Sequence, residues 1–149
     1  MFQHLLVPTD GSTLSRSTAL EAVRFAKAAG AKITGFHAMP ELRLLAQHPG
    51  LPTETRVNFD QQARAQANEV LAFIKEAAQA EGVACDTVMA TSDQPHEAIL
   101  RAARDRDCDL IFMASHGRRG IEAWLVASET QKVLTQSKVP VMVWRGNKG

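Results

Sequence analysis

The chain has no tyrosine, only two cysteines and two tryptophans, and almost no net charge: 17 Lys and Arg against 16 Asp and Glu leave +1 over 149 residues. Near-neutrality removes the electrostatic case for nucleic acid or an anionic membrane as partner, since either calls for a clustered basic face. Cys85 and Cys108 stand apart in apolar surroundings, so they read as small buried hydrophobes rather than as a disulfide or metal ligands. No C-x-x-C, H-x-x-x-H or clustered acidic motif supplies a metal site from protein ligands alone. No window approaches the ~18 apolar residues of a membrane span, and Met1 to His4 run straight into a strand without a signal-like start, which points to a cytoplasmic protein. Without tyrosine, and with tryptophan confined to Trp124 and Trp144, a flavin site has no stacking platform.

What is present is alternation. His4 to Pro8 reads as a first strand, ending in the turn-and-cap cluster Thr9-Asp10-Gly11-Ser12. Ala19, Ala22, Val23, Ala26 and Ala29 recur at helical spacing and Gly30 closes that helix. Lys32 to Ala38 alternates as a second strand. From Pro40 to Thr55 three prolines and Gly50 break any period, which predicts a long mobile connection. An amphipathic helix from about Val57 to Ala80 follows, with Ala63, Ala67, Val70, Leu71, Ile74 and Ala78 on its apolar face and Gly82 after its end. Val83 to Ala90 is a third strand. Pro95 opens the next helix, with Ile99, Ala102 and Ala103 buried. Leu110 to Ala114 is a short apolar run of the kind buried on both faces of a parallel sheet, and Val139 to Trp144 is a fifth strand with Pro140 at its start or along a sheet edge. At this length the alternation fits one α/β domain over 1–145 with a frayed tail at 146–149, built as a three-layer open parallel sheet with helices on both faces.

In such sheets ligands bind outside the carboxyl ends of the strands, where strand order reverses. Two polar clusters stand at carboxyl ends: Pro8-Thr9-Asp10 after the first strand, and Ser115-His116-Gly117-Arg118-Arg119-Gly120 after the fourth. The second combines glycines, backbone N–H groups and two guanidinium groups, the chemistry of an anion cradle. Ser128-Glu129-Thr130-Gln131 fits the capping box, so a helix starting at Ser128 turns its free N–H groups and positive dipole end towards that loop. Each part has a plainer reading: Arg118 and Arg119 as a solvated loop tip, Gly120 as a turn, Ser128 as a cap only, Asp10 as a turn residue capping the first helix. His116 reads either as a phosphate contact or as a structural hydrogen-bonding group. Trp124, with Leu125 and Val126, reads as a plug over the core or a dimer contact.

With both clusters in hand, the chain resembles the universal stress protein family over essentially its whole length. The resemblance is carried by Leu-Leu-Val-Pro-Thr-Asp-Gly-Ser at 5–12, by Met113 to Gly120, by Ser128 to Leu134 and by Pro140 to Val143. It implies a Rossmann-like, adenine nucleotide alpha hydrolase-like sheet in the order 3-2-1-4-5, and dimerisation through the fifth strand with Val139, Val141 and Val143. In one branch of the family it implies ATP in the crevice. That branch carries glycine, two residues, glycine, nine residues, glycine, then Ser or Thr; here Ala114 and Ala127 replace the first and third glycines, while Gly117 and Ser128 remain. The substitutions turn on whether the backbone needs φ > 0 there or only a small side chain. Carried over, Asp10 contacts the nucleoside beside Pro8 and Thr9, and Ala38 packs on adenine. Ala114 to Gly120 and Ala127 to Thr130 surround ribose and phosphates, with Glu129 a negative charge among them. Mg²⁺ would arrive with the triphosphate and keep several waters. No Walker lysine or paired metal-binding acids equip the chain for efficient hydrolysis, so at most a very slow ATPase is expected.

The function implied is a cytoplasmic homodimeric nucleotide-dependent stress regulator. The alternative is a module of the same fold that binds no nucleotide and works through its dimer surface and the 40–55 loop. A phosphorelay receiver fails, because Ala90-Thr91-Ser92 and Trp144-Arg145 stand where its phospho-acceptor Asp and its Lys are needed.

Overall fold

The computed structural model describes residues 1–40, 50, 52–116 and 127–146. Among these residues nine elements follow in order: β1 (His4–Pro8), α1 (Thr13–Ala29), β2 (Lys32–Met39), α2 (Thr53–Ala80), β3 (Cys85–Thr91), α3 (Pro95–Asp105), β4 (Leu110–Ala114), α4 (Ala127–Gln136) and β5 (Val141–Trp144). The strands form one parallel sheet in the order β3-β2-β1-β4-β5, as the family resemblance implies.

Alternate strand residues feed two cores. Leu5, Val7, Ile33, Leu110 and Phe112 pack under α1 and α2, while Leu6, Phe36, Ala38, Ile111 and Met113 pack under α3 and α4. Every residue of β1 and β4 is buried, because each is flanked by strands and covered by helices on both faces. The edge strands β3 and β5 are only partly buried.

Most departures from the sequence reading fall at element ends. α2 begins at Thr53 rather than Val57, on a first stretch that is exposed from Pro52 to Asn58, so no apolar stripe announced it. β3 starts at Cys85 instead of Val83, whose N–H is still donated to Ala78 of the helix end, 2.9 Å away, beside Gly82 at φ +72°. β5 starts at Val141: Pro140 has no N–H to give, and joins the sheet only by accepting from Ile111 N at 3.0 Å. The 40–55 connection shortens to the stretch before Thr53, and 41–49 and 51, together with 147–149 of the expected tail, lie outside the described residues.

α2 reaches the sheet by seating two side chains on glycines. A methyl on Gly35 of β2 would sit 2.7 Å from Ile74 Cγ2, and one on Gly11 would sit 2.7 Å from Val70 Cγ2. Gly11 also has φ +78°, so both its backbone and its space demand glycine. At the opposite end of the sheet, Asp109 before β4 accepts from Gln3 N at 2.9 Å and His4 N at 3.0 Å, and His4 Nε2 shares a 2.7 Å hydrogen bond with Thr34 of β2. One strand start is thereby tied to both of its neighbours.

Gly35→Ala is expected to destabilise the fold by about 1–3 kcal/mol through overpacking, read as a lower urea midpoint. Paired with Ile74→Ala it should cost less than the two single changes summed, because the clashing methyl is gone; strictly additive costs would sink this account. Stability should also fall with acid in two windows. Burial first, then Lys32, holds His4 below 6.5, and burial likewise lowers His37. A depressed folded pKa means stability is complete above 6.5 and is lost as pH falls from there through the folded values. Burial opposes the Asp109 charge, but the N–H donors of His4 and Gln3 outweigh it and hold the carboxyl below 3.8, so its contribution disappears only below that pH. Melting temperatures across pH should show both steps, with the upper one flattened in a His4→Gln, His37→Gln variant.

Candidate functional site

The register of β1 sets the site. Pro8 pairs with Phe36 of β2, and Leu6 with Ile111 of β4. Continued past the paired residues, these registers bring Thr9 level with His37 and Ala114, and Asp10 level with Ala38 and Ser115. Thr9 N donates to Phe36 O at 2.9 Å. Between β1 and β4 the strand order reverses, so Pro8-Thr9-Asp10, Ala38, and Ala114-Ser115-His116 meet at one crevice.

The floor is rigid. Asp10 is 4% exposed, and its Oδ1 accepts from Ser12 N at 2.9 Å and Ser15 Oγ at 2.7 Å. Ser12, not Asp10, is the N-cap of α1, accepting from Ser15 N at 3.1 Å. Asp10 therefore buttresses the cap from outside the helix, because its side chain closes a turn on the residue two along. His37 is buried beside it and its Nδ1–H donates to the Thr9 carbonyl at 2.8 Å; burial pushes its pKa down and the Thr9 carbonyl and Asp10 oppose that.

The far wall is the start of α4. The helix runs from Ala127, so Ser128 lies inside its first turn rather than at the cap position. Thr130 is buried and its hydroxyl donates to Ala114 O at 3.2 Å, fastening α4 to the end of β4. Among the described residues Asp107 is the only non-glycine with positive φ. Ala114 therefore has ordinary strand geometry, and Ala127 is placed within α4. In this conformation neither position needs the freedom of glycine, and what remains of the substitution is one methyl at each.

Ser115 N donates to Trp144 O at 3.0 Å, and the exposed His116 ring shares a 3.1 Å hydrogen bond with Ser115 Oγ. Gly117, Arg118, Arg119 and Gly120, the basic part of the expected cradle, lie outside the described residues, as do Trp124 to Val126. The described residues hold no cluster of three or more His, Cys, Asp or Glu placed for a metal, and none of their helices is long and apolar enough to cross a membrane. A groove of about 540 Å³ lies elsewhere, between β3 and α3 over Phe36, Val88 and Ala90, and none of the described candidate residues lines it.

Two residues escaped the sequence reading. His37 looked like one more member of an alternating strand; a polar residue one place before a strand's end was the available signal. His96 follows Pro95 in the first turn of α3, and its backbone N and ring Nδ1 both donate to Glu129 Oε2, at 2.9 and 2.7 Å. Lys132 Nζ donates to Glu129 Oε1 at 3.3 Å. Burial opposes the Glu129 charge, but these donors outweigh it and hold the carboxyl below 4.5. Only folding brings these two helix starts together.

The sequence model of the universal stress protein family matches residues 1–145. Universal stress protein YxiE of Bacillus subtilis is 28% identical over 149 residues, covering 97% of this chain and 100% of its own. The solved structure of MJ0577, from Methanocaldococcus jannaschii, superposes with a TM-score of 0.80 at 23% identity, covering 100% of this chain and 99% of that one. A universal stress protein in complex with cAMP superposes at 0.72 with 21% identity, covering 98% and 99% of the two chains. One from Archaeoglobus fulgidus in complex with dAMP superposes at 0.66 with 16% identity, covering 96% and 97%. On the whole-length family match, joined to the strand order and the crevice it creates, the chain belongs to the universal stress protein family.

Proposed function

We propose that the chain binds an adenine nucleotide, ATP foremost, in the crevice between β1 and β4, and works as a nucleotide-dependent regulator rather than as an efficient enzyme. The observation that carries this reading is that Ala114 lies in β4 and Ala127 in α4, backbone conformations that alanine adopts without strain where the family motif has glycine. Family relatives with cAMP and dAMP bound add support from outside the chain.

In this reading the Asp10 carboxylate, fixed by Ser12 and Ser15, accepts from a hydroxyl or amino group of the nucleoside, since an ionised carboxylate can only accept. Pro8 and Thr9 form the adjoining floor, and Ala38 lies against the base. Ser115, His116, Gly117, Arg118, Arg119 and Gly120 border the ribose and phosphates. Ser128 and Thr130 flank the start of α4, whose N–H groups and dipole favour the anion. A bound triphosphate would bring Mg²⁺ with it, and the cation would keep several waters because it dehydrates reluctantly.

The same proposal includes a cytoplasmic homodimer joined through β5. Among the described residues that strand pairs only with β4, which leaves its other backbone edge open to a strand from a second copy. Val139, Val141 and Val143 already pack, half-buried, against the core beneath α3 and α4, whereas Met142 and Trp144 turn to the α1 side. The strand's backbone edge, rather than its valine side chains, is thus the pairing surface.

Calorimetry of the purified chain with ATP, with and without Mg²⁺ and alongside Ala127→Gly, tests the site. Saturable one-to-one binding by the wild type is expected, with Ala127→Gly within about threefold. Binding by the glycine variant alone would mean the methyl blocks the helix start, and the chain would then be an interaction module of the same fold. Sedimentation should give twice the 16.3 kDa of one chain; a monomer at micromolar concentration would refute pairing through β5.

A further inference from the structure

Glu129 is the one acidic residue in the first turn of α4, where a phosphate-binding helix start is least served by a negative charge. It lies in the first turn of the helix as described. From that position a glutamate side chain reaches back to the N–H groups at its own helix's start, the second half of a capping box. A carboxylate so placed would compete with phosphate for the same donors.

The structure sends it elsewhere. α3 begins with Gln94 making no side-chain capping bond and Pro95 lacking an N–H, and Glu129 supplies the missing acceptor through His96 N. The His96 ring adds a second bond to the same oxygen, and Lys132 occupies the other oxygen. The His96 and Glu129 side chains are 8% and 13% exposed, so the pair is shielded from competing water. With Glu129 turned towards α3, successive residues about 100° apart around the helix leave Thr130 on the Ala114 carbonyl and Ser128 exposed.

We propose that His96 is a positioning residue for the nucleotide site: by recruiting Glu129 as the cap of α3, it keeps that carboxylate from capping α4 and leaves the α4 start free for a polyphosphate. This rests on the nucleotide reading above and adds an acidic gate to it. Released from His96, Glu129 returns to its own helix and opposes the triphosphate by charge and by occupancy. The gate discriminates by ligand charge, so an uncharged nucleoside in the same crevice is little affected.

The experiment compares ATP and adenosine binding to the full chain for the wild type, His96→Ala, Glu129→Gln and the double variant, at low salt, with folding checked by circular dichroism. His96→Ala is expected to weaken ATP about tenfold, the scale of one poorly screened unit charge at a partly exposed site, while moving adenosine less than about twofold. Adding Glu129→Gln should restore ATP binding, which a merely structural role for His96 would not allow. High salt should shrink the difference. If His96→Ala does not fold, Glu129→Asp and Glu129→Asn answer the same question. Both are too short to keep the bonds to His96, so the charged variant should bind ATP about tenfold more weakly than the neutral one, against less than about threefold between wild type and Glu129→Gln. His96→Ala binding ATP like the wild type, a double variant as weak as His96→Ala, or equal charge effects with and without the clamp would overturn the gate alone. A wild type that binds neither ATP nor adenosine would overturn the nucleotide reading itself, and the gate with it.

Discussion

Burying β1 requires that both of its backbone edges be paired. A strand covered by helices on both faces has no water to satisfy its N–H and C=O groups, so it needs a neighbour on each side. β2 takes one edge and β4 the other, and the chain must therefore build outward from β1 first one way and then the other. The reversal leaves the carboxyl ends of β1 and β4 side by side. The crevice is a by-product of satisfying one strand's hydrogen bonds, and Thr9, Asp10, Ala38, Ala114 and Ser115 are brought level by that pairing.

The turn after β1 is then locked by packing from the side. Val70 and Ile74 of α2 come down on Gly11 and Gly35, pressing the helix against the same turn that holds Thr9 and Asp10. Ser12 and Ser15 hold Asp10 from the helix side, and His37 holds the Thr9 carbonyl from β2. A carboxylate immobilised in this way is pre-organised for a ligand and loses little freedom on binding. The turn-forming bonds of Asp10 are thus compatible with the recognition role proposed for it, since they fix its carboxylate at the end of β1.

Across the crevice the arrangement depends on two helix starts meeting. α3 lacks a cap of its own and α4 carries a surplus acid, and each supplies what the other lacks through His96 and Glu129. Thr130 on the Ala114 carbonyl completes the attachment of α4 to the sheet. The charge that looked out of place beside phosphates is already engaged by donors.

The sequence by itself determined the element order, the buried residues of the central strands and the family. Local period and punctuation are written in consecutive residues: all of β1 and β4 was legible because a strand buried on both faces must be an unbroken apolar run, and Gly30, Gly82 and Pro95 mark turns by their own backbone constraints. The two matched blocks around Asp10 and Ser128 located both sides of the crevice in the same way. Only the tertiary structure decided where α2 and β5 begin, which residue caps α1, the conformation of Ala114 and Ala127, and the partnership of His96 with Glu129. An exposed helix start has no apolar period to read, an edge strand is only half buried, and a hydrogen bond between residues 33 apart exists only once the sheet has brought α3 and α4 onto the same face.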